Sequence, residues 1–316
     1  MREGRTEIDV RFRRRGRADL AVFHELVPPP SGGGHQFLRA LLGELERRGL
    51  RVERNRISSE TPACLFNSFN FDERRLRRFA RTDCRMVHRV DGPLAAYRGF
   101  DDGTDSRVAQ LNRELAQATV VQSRYSLEAH RECGIELRAP RVIPNAVDPA
   151  IFHPPRVRDA RAGRSLRLIA TSWSDNPRKG ADVLSLLDRS LDGTRFTLTF
   201  VGRTSATLER ARVLGPLPSR QLADVLRSHD IYVAGSVNDP ASNALLEALA
   251  CGLPALYRAS GGHPEIVGDG GVPFEAPEDA LPALERLVSE LDERRAAIRV
   301  PRLDEVADRY LEALLG

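Results

Sequence analysis

Only one lysine, Lys179, stands among the 48 basic residues of this chain; the other 47 are arginines. It sits in Asn176-Pro177-Arg178-Lys179-Gly180, between a strand-like run ending near Thr171 and a helix-like run opening at Ala181. Two cations at the mouth of a helix can neutralise a diphosphate and stabilise it as a leaving group. A solvated Arg-Lys pair beside a turn is the plainer reading. Yet a lysine placed at random among 48 basic sites would fall here about once in 48. Retention of the one ammonium at this place points to a need for a compact point charge.

Carboxylates come next. Asp239 precedes a helix whose first amides, around Ser242, Asn243, Ala244 and Leu245, are free to face a cleft, and Gly252 and Pro254 end that helix. Glu247 lies just over one turn inside it, so both acids can reach a ligand at the N-terminus. Carboxylates there suit the paired hydroxyls of a sugar or ribose, which donate hydrogen bonds to them. Without a ligand, Ser242 is an ordinary N-cap and Glu247 a surface residue.

Two first-half motifs complete the set. In Ser31-Gly32-Gly33-Gly34, consecutive glycines let the backbone approach an anion just ahead of a helix, although a flexible turn needs no ligand. His88-Arg89-Val90-Asp91-Gly92-Pro93 ends a strand-like run and offers His88 and Asp91 to a cleft, where a structural histidine is the alternative.

Such groups need strand ends and helix starts to hold them. Short apolar runs alternate with helix patterns along the whole chain, which predicts parallel sheets covered by helices on both faces. The first-half strands are expected at Leu20 to His24, Leu50 to Glu53, Ala63 to Asn67, Cys84 to Arg89, Thr119 to Gln122 and Arg141 to Ile143. The second-half strands are expected at Leu166 to Ala170, Phe196 to Val201, Ile231 to Ala234 and Ala255 to Tyr257. Residues 150–164 break the periodicity and read as a linker between residues 1–149 and 165–300. Residues 301–316 read as a closing amphipathic helix that packs back on the first domain. Doubly wound halves place ligands at the carboxyl ends of strands, here in a cleft between the lobes.

Composition narrows the classes. No uncharged apolar stretch of eighteen residues exists, and 41% hydrophobic content is ordinary, which argues against membrane spans and disorder. Arg2, Arg5, Arg11, Arg13, Arg14, Arg15 and Arg17 come without an apolar run behind them, unlike a secretory signal. Cys64, Cys84, Cys133 and Cys251 lack metal-site spacing and read as reduced thiols of a cytosolic protein. Residues 1–100 hold 21 arginines against 13 acids, a formal +8, leaving −4 for the rest. A basic first half suits an anionic surface or acceptor, and no nucleic-acid-binding signature accompanies it. Arg74, Arg77, Arg78 and Arg81 at helical spacing could dock an anionic membrane; a solvated basic face is the other reading. Asp101 and Asp102 lie in a polar Gly-containing stretch and read as a loop rather than a metal motif.

Taken together these residues resemble the retaining glycosyltransferases of GT-B fold related to glycogen synthases, sucrose synthase and bacterial mannosyltransferases, often called family four. Pro144-Asn145-Ala146-Val147-Asp148 with Phe152 is similar to the family's P-N-G-V-D...F segment, with Ala146 replacing glycine. Pro177 to Gly180 resembles its K-G phosphate motif, and Asp239 to Glu247 its pair of acids with seven residues between them. The resemblance implies that Lys179 binds the donor diphosphate, Glu247 the ribose, and Asp239 the hydroxyls of the transferred sugar. It also implies that the amides of Asn243, Ala244 and Leu245 lie near the phosphates and that Gly33 and Gly34 form the N-terminal glycine loop. Trp173 replaces an arginine usual six residues before the lysine, so a second phosphate cation has to come from Arg178 or Arg203. His88 and Asp91 compete for the position of a family histidine near the sugar.

The implied reaction transfers a sugar from a nucleotide-diphosphate sugar to an acceptor hydroxyl, with retention and with neither metal nor other cofactor. The leaving phosphate itself would take the acceptor proton. An epimerase or hydrolase of the same fold, or a non-catalytic nucleotide-sugar binding protein, are the alternatives. The acceptor, whether glycan, lipid or small molecule, stays open, as does the nucleotide.

Overall fold

The computed structural model describes residues 18–28, 30–80, 83–100, 102–157 and 163–316. The arginines from Arg2 to Arg17, together with Arg81, Asp101 and residues 158–162 of the expected linker, lie outside the described residues.

Short runs such as Leu20-Ala21-Val22-Phe23 and Ala63 to Asn67 are buried at every position, because helices cover both faces of their sheet. The described strands form two all-parallel six-stranded sheets. The first comprises β1 (Leu20–Phe23), β2 (Val52–Arg54), β3 (Ala63–Asn67), β4 (Arg85–Arg89), β5 (Ala118–Val121) and β6 (Pro140–Val142), in the order β2-β1-β3-β4-β5-β6. The second comprises β7 (Leu166–Ser172), β8 (Phe196–Gly202), β9 (Arg212–Leu214), β10 (Ile231–Ala234), β11 (Ala255–Arg258) and β12 (Gly271–Phe274), in the order β12-β11-β10-β7-β8-β9. Both are Rossmann-like, and in each the strand order reverses beside the lobe's opening strand. Those reversals, between β1 and β3 and between β7 and β10, leave crevices at the carboxyl ends of the strands.

The strands expected from the apolar runs recur with ends displaced by a residue or two. β9 and β12, the two edges of the second sheet, were not expected: Arg-Val-Leu and Gly-Val-Pro-Phe are too short to alternate, and Pro273 is tolerated because β12 is a sheet edge.

The cores show how the chain travels. The helix Leu303–Leu315 buries Leu303, Val306, Tyr310, Leu311 and Leu314 in the first lobe with Leu20, Phe37 and Leu41. The Phe37 and Tyr310 rings stand 5.7 Å apart. In the opposite direction, Phe152, which falls inside the expected linker, packs with Ile169, Leu249 and Tyr257, so the first residues of that segment belong to the second-lobe core. No helix among the described residues is long and apolar enough to cross a membrane. None of the four cysteines is in a disulfide, and Cys133 is the exposed one among them. On the helix Glu73–Phe79, Arg77 is paired with Glu73 and Glu114, while Arg74 and Arg78 are exposed.

Candidate active site

Between the lobes lies a cleft of about 470 Å³ into which both crevices open: His24 and Asn67 follow or end β1 and β3, and Ser172 and Ser236 end or follow β7 and β10. Glycines set its second-lobe wall. Gly180 has φ +93°, and a Cβ there would stand 2.8 Å from the Gly235 backbone. Two backbones therefore cross at a separation only glycine permits. That crossing lays the turn Pro177–Lys179 against the loop after β10, and the Lys179 Nζ donates to Asp239 Oδ2 at 2.8 Å.

Burial opposes the Lys179 ammonium, but the Asp239 carboxylate outweighs it and raises the lysine above its ordinary value. Burial likewise pushes Asp239 up, and Lys179 with His263 more than reverse it, holding the acid below the ordinary carboxylate range. His263 reaches Asp239 through Ser236, whose Oγ lies 3.0 Å from His263 Nε2 and 3.5 Å from Asp239 Oδ2. The ammonium also faces the Tyr97 ring of the first lobe, 5.3 Å from its centroid.

Ser242 caps the helix Asn243–Ala250 by accepting from the Leu245 N–H, and Ser242, Asn243 and Ala244 line the cleft. Leu245 is core. Glu247 does not line the cleft. It is 7% exposed, and burial alone lifts its carboxyl to about 8. Gly33 and Gly34 line the opposite wall, where a Cβ on Gly33 would stand 2.6 Å from Asn243.

Three candidates lie elsewhere than expected. His88 is wholly buried, stacked on Phe66 at 4.2 Å and bonded to the Asn112 amide at 3.1 Å. Burial holds its pKa down to about 3. It is packed in the first-lobe interior and does not line the cleft. Arg178 is directed to the other side of its turn, toward Gly99, and does not line the cleft. Arg203 is exposed and lies over the Trp173 ring at 5.0 Å; the indole, and not the guanidinium, lines the cleft. Asp91 does line it, and its Oδ1 accepts from Arg89 at 2.9 Å.

The sequence pattern gave no sign of Arg89, Asn67, His24 and His35. Arg89 is fully buried, donates to Asn67 and to Asn145, and lies over Phe37 at 5.0 Å. Asn145 in turn donates to Asn243 at 3.0 Å, tying the first-lobe interior to the second-lobe helix. His24 and His35 both line the cleft, with Nε2 and Nδ1 2.8 Å apart. Burial, His35 and Arg89 hold His24 down to about 4 against the pull of the Phe69 carbonyl. One signal could have found His24: it is the residue after β1, at the first crevice. Among the described residues no three His, Cys, Asp or Glu side chains gather as a metal site.

With this geometry in place, comparison with known proteins is informative. Residues 169–291 match the family described as glycosyl transferases group 1. That stretch holds Lys179, Asp239 and Glu247 and most of the second sheet. The chain is also 31% identical over 164 residues to a phosphatidylinositol N-acetylglucosaminyltransferase subunit from Arabidopsis thaliana, an alignment covering 47% of this chain. A 90-residue stretch is 39% identical to D-inositol 3-phosphate glycosyltransferase of Corynebacterium jeikeium (strain K411), covering 27% of this chain. The aligned stretches span only 36% and 21% of those relatives' own lengths. Sucrose-phosphate synthase from Thermosynechococcus elongatus superposes with a TM-score of 0.74 at 16% identity, covering 94% of this chain and 98% of that one. The Anabaena protein HepE, solved with UDP-glucose, gives 0.64 at 16% identity, covering 92% and 94%. The two facing Rossmann-like sheets are thus the GT-B fold.

Proposed function

We propose that this protein is a retaining glycosyltransferase that moves a sugar from a nucleotide-diphosphate sugar to an acceptor hydroxyl without a metal. The observation that carries the reading is the meeting of two crevices in one cleft, with a buried ammonium–carboxylate pair at the second-lobe mouth. Lys179 and the free amides of the Asn243–Ala250 helix are suited to a diphosphate, whose charge they balance as the bond to the sugar breaks. Asp239 is suited to the sugar hydroxyls. Glu247, one turn deeper, is suited to ribose, whose hydroxyls would compensate its ionisation. The leaving phosphate takes the acceptor proton, consistent with His88 standing outside the cleft. The names of the two curated relatives make inositol, its phosphates and phosphatidylinositol the first acceptors to try.

A thermal-shift panel of UDP-, GDP-, ADP- and dTDP-sugars tests the donor: one nucleotide should raise Tm, because binding only the native state stabilises it by mass action. No shift with any of the four removes the reading. Lys179→Ala should abolish transfer with unchanged circular dichroism, and full activity in that variant would refute the phosphate assignment. Product anomer NMR checks retention, and activity unaltered by EDTA checks metal independence.

A further inference from the structure

The first-lobe wall of the cleft carries a chain of hydrogen bonds with a direction. Arg89 can only donate, and its Nη1 lies 3.2 Å from Asn67 Oδ1. That fixes the Asn67 amide, so its Nδ2 is the group facing His24 Nδ1 at 3.1 Å. A donor facing Nδ1 makes that nitrogen an acceptor, which places the His24 proton on Nε2. His24 Nε2 then donates to His35 Nδ1 at 2.8 Å, and the His35 proton belongs on its own Nε2. Asp91 anchors the far end by accepting from Arg89 at 2.9 Å. The charged groups around the two rings are Arg39, from the helix that bears His35, with Arg89 and Asp91 from β4 and the loop after it.

We infer that His35 is an acceptor-binding residue whose Nε2–H, fixed in place by Arg89, Asn67 and His24, donates a hydrogen bond to a hydroxyl of a polyol in the first-lobe half of the cleft. The polyol role rests on the transferase reading above; the tautomers do not. His35 lines the cleft and is only half-buried, so a ligand can reach it. An N–H donor engages one lone pair of a hydroxyl oxygen and leaves that hydroxyl's own proton free for another acceptor. Arg89, Asn67 and His24 are positioning residues in this scheme.

Protein labelled with 15N at histidine, with signals assigned through His24→Gln and His35→Gln, reads the tautomers directly at neutral pH. Both rings are expected neutral with the proton on Nε2. Asn67→Asp, which sets an acceptor against Nδ1, is expected to move the His24 proton to Nδ1. The proposal is overturned if wild-type His24 is protonated on Nδ1, or if His35 is cationic. Myo-inositol and D-glucose are then titrated to tens of millimolar, with and without UDP. Either should shift the His35 Nε2 signal, and His35→Phe should weaken that polyol about tenfold, the loss of one hydrogen bond, with UDP affinity unchanged. Silence of His35 toward both polyols overturns the proposal. Failure of all four nucleotides of the donor panel to bind, with His35 still responding to a polyol, removes the transferase reading and leaves the polyol site standing.

Discussion

At the residue scale, Glu247 is a group whose chemistry is strongly altered by its surroundings. A carboxyl raised from its ordinary range to about 8 favours the fold while it stays protonated. That contribution is complete below the unfolded carboxyl's own pKa and is lost as pH climbs through 8. Glu247→Gln should therefore leave Tm nearly unchanged at pH 4 and raise it at pH 9, with a stability gain of up to about 5 kcal/mol on the linkage constant. Thermal melts at both pH values check this; an equal shift at both would not fit. His88 offers the opposite kind of test. His88→Leu removes a stacked core ring and should cost about 1–3 kcal/mol in chemical denaturation while leaving kcat of the folded enzyme unchanged. Lys179 was legible because its composition is anomalous, and so was an acid near a helix start. Arg89 was not, since His88 and Arg89, on opposite faces of β4, are both fully buried and nothing in the run marks which of them bonds to the groups of the cleft wall; the strand pleat decides that. His24 and His35 are eleven positions apart on a strand end and a helix, and they become a pair only when the Gly32–Gly34 turn folds one against the other.

At the scale of elements, the glycine turn and the second-lobe helix are in contact. A Cβ on Gly33 would meet the Asn243 Cβ as well as its amide nitrogen, both at 2.6 Å. The Cβ cannot swing aside, so the helix or the turn must move. Gly33→Ala should weaken nucleotide binding roughly tenfold by spacing the two walls, and Asn243→Gly in the same chain should restore part of it. Calorimetric titration of both variants checks the pair. The alternation of apolar runs was sufficient to place the interior strands, which are buried on both faces and so are continuously apolar. It failed at the two edges of the second sheet, β9, which is largely exposed, and β12, which has one side free and tolerates Pro273.

At the scale of the whole molecule, the lobes are held by polar contacts from several directions. The Glu265 carboxylate of the second lobe accepts from the Arg124 and Tyr125 N–H groups, the unsatisfied first amides of a first-lobe helix, at 2.9 and 2.8 Å. Ser123 Oγ donates to the Pro240 carbonyl at 2.7 Å, and Asn238 to the Ala96 carbonyl at 3.1 Å. Glu265→Ala removes two of these bonds and should shift the ligand-free protein toward a more open arrangement. Small-angle scattering would register a larger radius of gyration, with nucleotide reversing it.

The helix Leu303–Leu315 has a consequence for how the molecule comes into being. Its apolar face completes a core begun by Leu20 and Phe37, almost three hundred positions earlier in the chain. During synthesis the second lobe has all its strands on hand while the first still lacks one wall, so the half made first is the half finished last. Until that helix emerges from the ribosome, the apolar cluster of Leu38, Leu41 and Leu45 lacks part of its native cover, and a nascent first lobe should expose apolar surface of the kind chaperones bind.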